Sequence, residues 1–110
     1  MQPTDLNPEA AELIARRFRA LADPTRLRIL NLLRNQDEAS VGEIATKVGG
    51  SQQNVSKHLA ALHAEGFVAR RKQGTSSIYR IGDPGVHQIC DGISAGIEAQ
   101  LAELEAVLAR

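Results

Sequence analysis

The chain has 110 residues, with 13 Lys and Arg against 13 Asp and Glu and a single cysteine. That length fits one domain with a modest core, and 43% apolar with 24% charged residues argues against disorder. No apolar run approaches the roughly 18 residues of a membrane span, MQPTDLNPEAAE lacks a signal-peptide layout, and one cysteine excludes an internal disulfide, so a reducing cytoplasm is the expected compartment.

Only Phe18, Phe67 and Tyr79 are aromatic, too few rings to stack single-stranded nucleic acid. The zero net charge hides a segregation. Residues 1–46 carry six bases and seven acids, and residues 81–110 carry Arg110 against five acids. Residues 47–80 carry six bases (Lys47, Lys57, Arg70, Arg71, Lys72, Arg80) against Glu65 alone, so the middle of the chain is the part that attracts an anion.

Asn7-Pro8, Asp23-Pro24 and Asp83-Pro84 each predict a helix start, with an Asx oxygen for the orphan N–H groups and proline at the first helical position. Leu13, Ile14, Phe18 and Leu21 follow at helical spacing in the first helix. Leu27, Leu30 and Leu33, widened by Ile29 and Leu32, form the stripe of the second. Ser40-Val-Gly-Glu43 is a capping box opening a short helix with Val41, Ile44, Ala45 and Val48 on one face. Gly49-Gly50 ends it and Ser51 caps the next, where Val55, Leu59 and Leu62 face inward and Gln53, Asn54, Lys57 and Ala61 face away. The pair over about 41–65 is a helix-turn-helix. Phe67–Lys72 and Ser77–Ile81 have strand character around the turn Gln73-Gly74-Thr75-Ser76, a basic hairpin, or wing, over about 67–81. A long last helix over about 84–108 aligns Val86, Ile89, Cys90, Ile93, Ile97, Leu101, Leu104 and Leu108. That stripe exceeds what a small core can cover, so part of it is expected to form a dimer seam with the first helix, about 8–22, through Leu13, Ile14 and Phe18.

ALADPTRLRILNLL (20–33), VGEIATKVGGSQQNVSKHLAALHAEGFV (41–68) and RRKQGTSSIYRI (70–81) resemble the ArsR/SmtB family of winged-helix repressors. With the flanking helices the resemblance covers nearly the whole chain. It implies a single domain over 1–110, mainly α with a two-stranded β wing in the order α-α-α-α-β-β-α, homodimeric and bound to operator DNA. The family's metal sites are not matched. Its thiolate motif falls on Glu38, Ala39, Ser40, Val41, Gly42, Glu43 and Ile44, without either cysteine, and the later positions of its last-helix motif fall on Gly85, Gly96 and Ala99. No metal or cofactor is therefore expected.

Gln52, Gln53, Asn54, Ser56 and Lys57 occupy the early turns of the second helix of the pair. Amides can pair bidentately with adenine and lysine can reach guanine, so Gln53, Asn54 and Lys57 are the expected base contacts. Thr46, Ser51 and Ser56 suit phosphates. Arg70, Arg71, Lys72 and Arg80 can meet phosphates or the minor groove, and strand alternation limits the expectation to two of the four.

His58 is expected to be a structural hydrogen-bonding group or a phosphate contact rather than a switch. Cys90 reads as a small hydrophobe, with an intersubunit disulfide or thiol sensor as the sharper alternative. His87, Asp91, Ser94 and Glu98 read as a solvated strip, with a non-standard metal site across a dimer as its alternative. His87 with Cys90 lacks the oxyanion donors and orienting group of an enzyme. The expected protein is a homodimeric repressor of its own operon on an inverted repeat with half-sites roughly 34 Å apart. The rival reading is a protein-interaction module that kept the scaffold and lost DNA binding. Nothing in the sequence names a small-molecule effector.

Overall fold

Side-chain caps set the helix starts. The structure, a computed structural model, describes residues 5–110, so the first four residues of the expected domain lie outside it. Helix α1 spans Pro8–Leu21, and its Ala10 N–H donates to Asn7 Oδ1 at 2.8 Å. Helix α2 spans Pro24–Gln36, with the N–H groups of Thr25 and Arg26 donating to Asp23 Oδ1 at 2.8 and 3.1 Å. In α3, Val41–Val48, Glu43 N–H donates to Ser40 Oγ and Ser40 N–H donates back to Glu43, closing the capping box. Gly49, at φ 75°, supplies the left-handed residue that stops α3. Helix α4, Gln52–Ala64, is capped by Ser51, which accepts from Asn54 N–H at 3.1 Å.

A three-residue strand was not foreseen. Glu38–Ser40 forms β1, and with β2 (Val68–Gln73) and β3 (Ser76–Ile81) it makes an antiparallel sheet ordered β1-β3-β2. The wing is thus two strands of a three-stranded sheet, and the observed order is α1-α2-β1-α3-α4-β2-β3-α5, with α5 at Gly85–Leu108. Three residues are too few to display alternation in a sequence. The strand forms because Ala39 lies opposite Tyr79, both buried, while Glu38 lies opposite Arg80.

One core unites these elements. Ile29, Leu30 and Leu33 of α2 meet Ile44 and Val48 of α3, Val55, Leu59 and Leu62 of α4, and Phe67, Val68 and Tyr79 of the sheet. Val86 also belongs here, at 0% exposure, and this corrects its assignment to the dimer seam. A periodic stripe does not distinguish burial in one's own protomer from burial in a partner. Leu27 is likewise corrected: it is an exposed residue on the flank of the α2 stripe. The last helix begins one residue later than the Asp-Pro signal suggests. Asp83 Oδ1 still accepts from Gly85 N–H at 2.9 Å, while Pro84 takes the N-cap position without a side-chain bond.

Beyond Cys90, every residue of α5 is exposed. The helix projects from the body, and the radius of gyration of 17.0 Å exceeds the roughly 13 Å of a compact chain of this length. Ile93, Ile97, Leu101, Leu104 and Leu108 on α5, and Leu13, Ile14 and Phe18 on α1, are large apolar groups left in solvent. Ile89 sits at the root of α5 beside Phe18 and Phe67. Cys90 is half-buried against the core.

Candidate nucleic-acid interface

Val55, Leu59 and Leu62 anchor α4 to the core, so its opposite face is fixed outward. Gln52, Gln53, Asn54, Ser56 and Lys57 are all exposed there. The Ser51 hydroxyl accepts the Asn54 N–H, which leaves its own proton free to donate to a phosphate oxygen. Thr46, exposed on α3, donates its hydroxyl proton to Gly42 O at 3.0 Å and keeps acceptor capacity only. As placed, it must turn before it can donate to a phosphate.

Residues beyond those singled out in the sequence join this surface. Ser40, Val41, Gly42, Gln52 and Ser56 from the helix-turn-helix face Thr75, Ser76 and Ser77 from the wing tip, lining a polar groove of about 390 Å³. Hydroxyls in that density are suited to a sugar–phosphate strand. The run Thr75-Ser76-Ser77, from the turn into the start of β3, is the sequence signal for this groove.

The sheet register splits the four basic wing residues into two pairs. Arg70 lies opposite Tyr79 and Lys72 opposite Ser77, so these two share one face. Arg71, opposite Ile78, shares the other face with Arg80 and with Glu38. There Arg71 donates from Nη2 to Glu38 Oε1 and from Nη1 to Gln73 Oε1, both at 2.8 Å. Arg71 is therefore tied across the sheet, whereas no ion pair to Arg70, Lys72 or Arg80 occurs among the described residues.

His58 turns inward rather than outward. Its Nδ1 accepts from Arg26 Nε at 3.0 Å, and its side chain is 15% exposed. Asp91 is taken by Arg34 of α2, which donates to both its oxygens. That engagement removes one carboxylate from the His87–Glu98 strip. Among the described residues no group of three or more His, Cys, Asp or Glu is placed to hold a metal ion.

The sequence pattern of bacterial regulatory proteins of the ArsR family matches residues 23–70, from the α2 cap through α4 into the wing. The nodulation protein NolR of Rhizobium meliloti is 38% identical over 97 residues, 86% of this chain and 77% of that protein. The chain belongs to the ArsR family. This ArsR-family chain is also similar to a probable mercury resistance operon repressor of Streptomyces lividans, at 44% identity over 72 residues. Those residues are 66% of the chain and 57% of that relative, so the chain spans little more than half of it. Among solved structures, a homodimeric winged helix-turn-helix DNA-binding domain from Mycobacterium bovis superposes with a TM-score of 0.75 at 32% identity, covering 93% of this chain and 95% of that one. The fold is thus the winged helix-turn-helix of the ArsR family, a family of DNA-binding transcriptional regulators and not of enzymes.

Proposed function

We propose that the protein is a homodimeric transcriptional repressor that binds double-stranded operator DNA as an inverted repeat, with its own promoter as the first candidate. Helix α4 enters the major groove, where Gln53, Asn54 and Lys57 contact base edges and Ser51, Gln52 and Ser56 contact the adjoining strand. Arg70 and Lys72, on one face of the wing, supply further phosphate contacts. The observation that carries this reading is the outward polar face of α4 beside a hydroxyl-lined groove, within a stretch bearing six bases and one acid. The apolar faces of α1 and α5 support a second copy as the partner, and the homodimeric relative has the same fold. Two α4 helices related by a two-fold axis call for half-sites one turn, roughly 34 Å, apart. The lack of the familiar thiolate and last-helix ligands favours a repressor without those metal responses.

Footprinting on the DNA upstream of the chain's own gene tests this reading. Two protected patches about one helical turn apart, with symmetric sequence, are the expected result. Equal affinity for that DNA and for a shuffled duplex overturns it.

A further inference from the structure

We propose that Arg26 is a positioning residue for the reading helix, acting through the neutral ring of His58, so that discrimination between DNA sequences falls when His58 takes up a proton. This rests on α4 being the helix that reads bases. Arg26 stands in the first turn of α2, where its Nη1 donates to Ala20 O at 3.2 Å, at the end of α1. Its Nε donates to His58 Nδ1 at 3.0 Å, on α4. One half-buried side chain therefore joins three helices, and His58, its partner on α4, follows the exposed Lys57 in the chain.

The chemistry of the two groups fixes which ring nitrogen accepts. Guanidinium has donors only, so Nδ1 must present a lone pair and the ring proton must sit on Nε2. A second proton turns Nδ1 into a donor and sets two cations face to face. The ionisable groups against the ring are Arg26 and Asp23, whose Oδ1 lies 3.9 Å from Nδ1. Lys57 is its neighbour on α4, and among the described residues no other ion pair reaches it. Protonation thus exchanges Arg26 for Asp23, the cap of α2, as the ring's partner, so α4 shifts against the start of α2 and loses the Arg26 link to α1. The N–H of Arg26, above all, holds the Asp23 carboxyl below its ordinary range, so that partner stays charged throughout. Histidine side chains change charge between about pH 5 and 8.

The test uses the full chain and two probes, a duplex recovered by the protein from a randomised DNA pool and a shuffled copy of it. The affinity ratio between them is followed from about pH 8 to about pH 5.5. For the unaltered chain the ratio should fall roughly tenfold on acidification, the scale of one hydrogen bond to a charged group. His58→Asn places Oδ1 where Nδ1 stood and cannot titrate, so it should keep the ratio and flatten the profile. Arg26→Ala should lower the ratio at neutral pH and flatten the profile as well. His63 and His87 remain in both variants, so their titration is common to all arms. A merely structural link would change melting temperatures and leave the pH profile of the ratio alone. The same acid loss in His58→Asn as in the unaltered chain overturns the proposal, as does an unchanged ratio in Arg26→Ala. A chain that recovers no preferred duplex overturns the reading of α4 itself, and this proposal with it.

Discussion

Arg34 grips Asp91 with both terminal nitrogens, Nη1 to Oδ1 at 2.8 Å and Nη2 to Oδ2 at 3.0 Å, joining α2 to α5 where α5 leaves the body. Planar guanidinium and carboxylate match in this geometry. The Arg34 hydrogen bond holds the Asp91 carboxyl below the ordinary carboxylate range, and the Ser40 N–H does the same for Glu43. Asp23 is the third such group.

Acid behaviour follows from these three carboxyls. A folded-state value below the unfolded one means stabilisation that is complete above the unfolded value, near pH 4, and lost as pH falls through the folded value. The melting midpoint should therefore drop below about pH 4. Asp91→Asn and Glu43→Gln should each make that acid limb shallower. Acid limbs identical to that of the unaltered chain would mean that neither carboxyl is linked to folding.

Base reading is expected from the amides of α4. Gln53→Ala or Asn54→Ala should lower the preference for the selected duplex by about 1–3 kcal/mol per half-site while sparing random DNA. Titrations on both DNAs check this. Equal losses on the two would place these side chains on the backbone instead.

The split wing predicts unequal roles for neighbouring cations. With about six to eight phosphates neutralised per dimer, log K against log[salt] should slope near −5 to −7. Arg70→Ala and Lys72→Ala should each flatten it by about 2, one contact per protomer. Arg71→Ala should flatten it less, because Glu38 and Gln73 already hold that guanidinium. An Arg71 effect equal to that of Lys72 would show that DNA displaces Glu38.

Dimerisation is expected through the projecting stripe. Ile97 is 60% and Leu101 54% exposed within the protomer, so Ile97→Glu or Leu101→Glu should leave the protomer folded. In a seam the new charge is desolvated without a partner. Sedimentation should then find monomers, with DNA affinity lost because the half-sites are no longer linked. An intact dimer would move the seam elsewhere.

Asp37 offers a gain in stability. Its φ of 69° and ψ of −57° put it in the γ-turn region, and it is the one non-glycine residue with positive φ among the described residues. Asp37→Gly removes the Cβ strain and should raise stability by about 1 kcal/mol in chemical denaturation. A loss would mean that the loop needs the aspartate itself.

Local signals were the legible part of this chain. The winged helix-turn-helix could be read because Asn7, Asp23, Ser40 and Ser51 declare helix starts in the sequence itself, and Val55, Leu59 and Leu62 give α4 a single inward face. β1 was hidden, since Ala39 earns its place only by meeting Tyr79, forty residues away. The Val86 assignment failed for a related reason, as helical period carries no information about which molecule covers a stripe. The Arg71–Glu38 and Arg26–His58 links were invisible because long polar side chains find partners through the tertiary fold, without a spacing rule. The hydroxyl groove is legible only in part, because Thr75 and Ser76 fit a hairpin turn and Ser77 a strand without reference to the helix they face.

The projecting half of α5 has a consequence for dosage. A protomer alone carries Ile93, Ile97, Leu101 and Leu104 in water, and a second copy is the proposed cover. While dimers are the minority species, their number rises with the square of the protomer concentration. Occupancy of a paired half-site then climbs more steeply with copy number than it would for a binder complete in one chain. With its own promoter as the proposed target, synthesis would shut off over a narrow range of copy number and resume soon after dilution by growth.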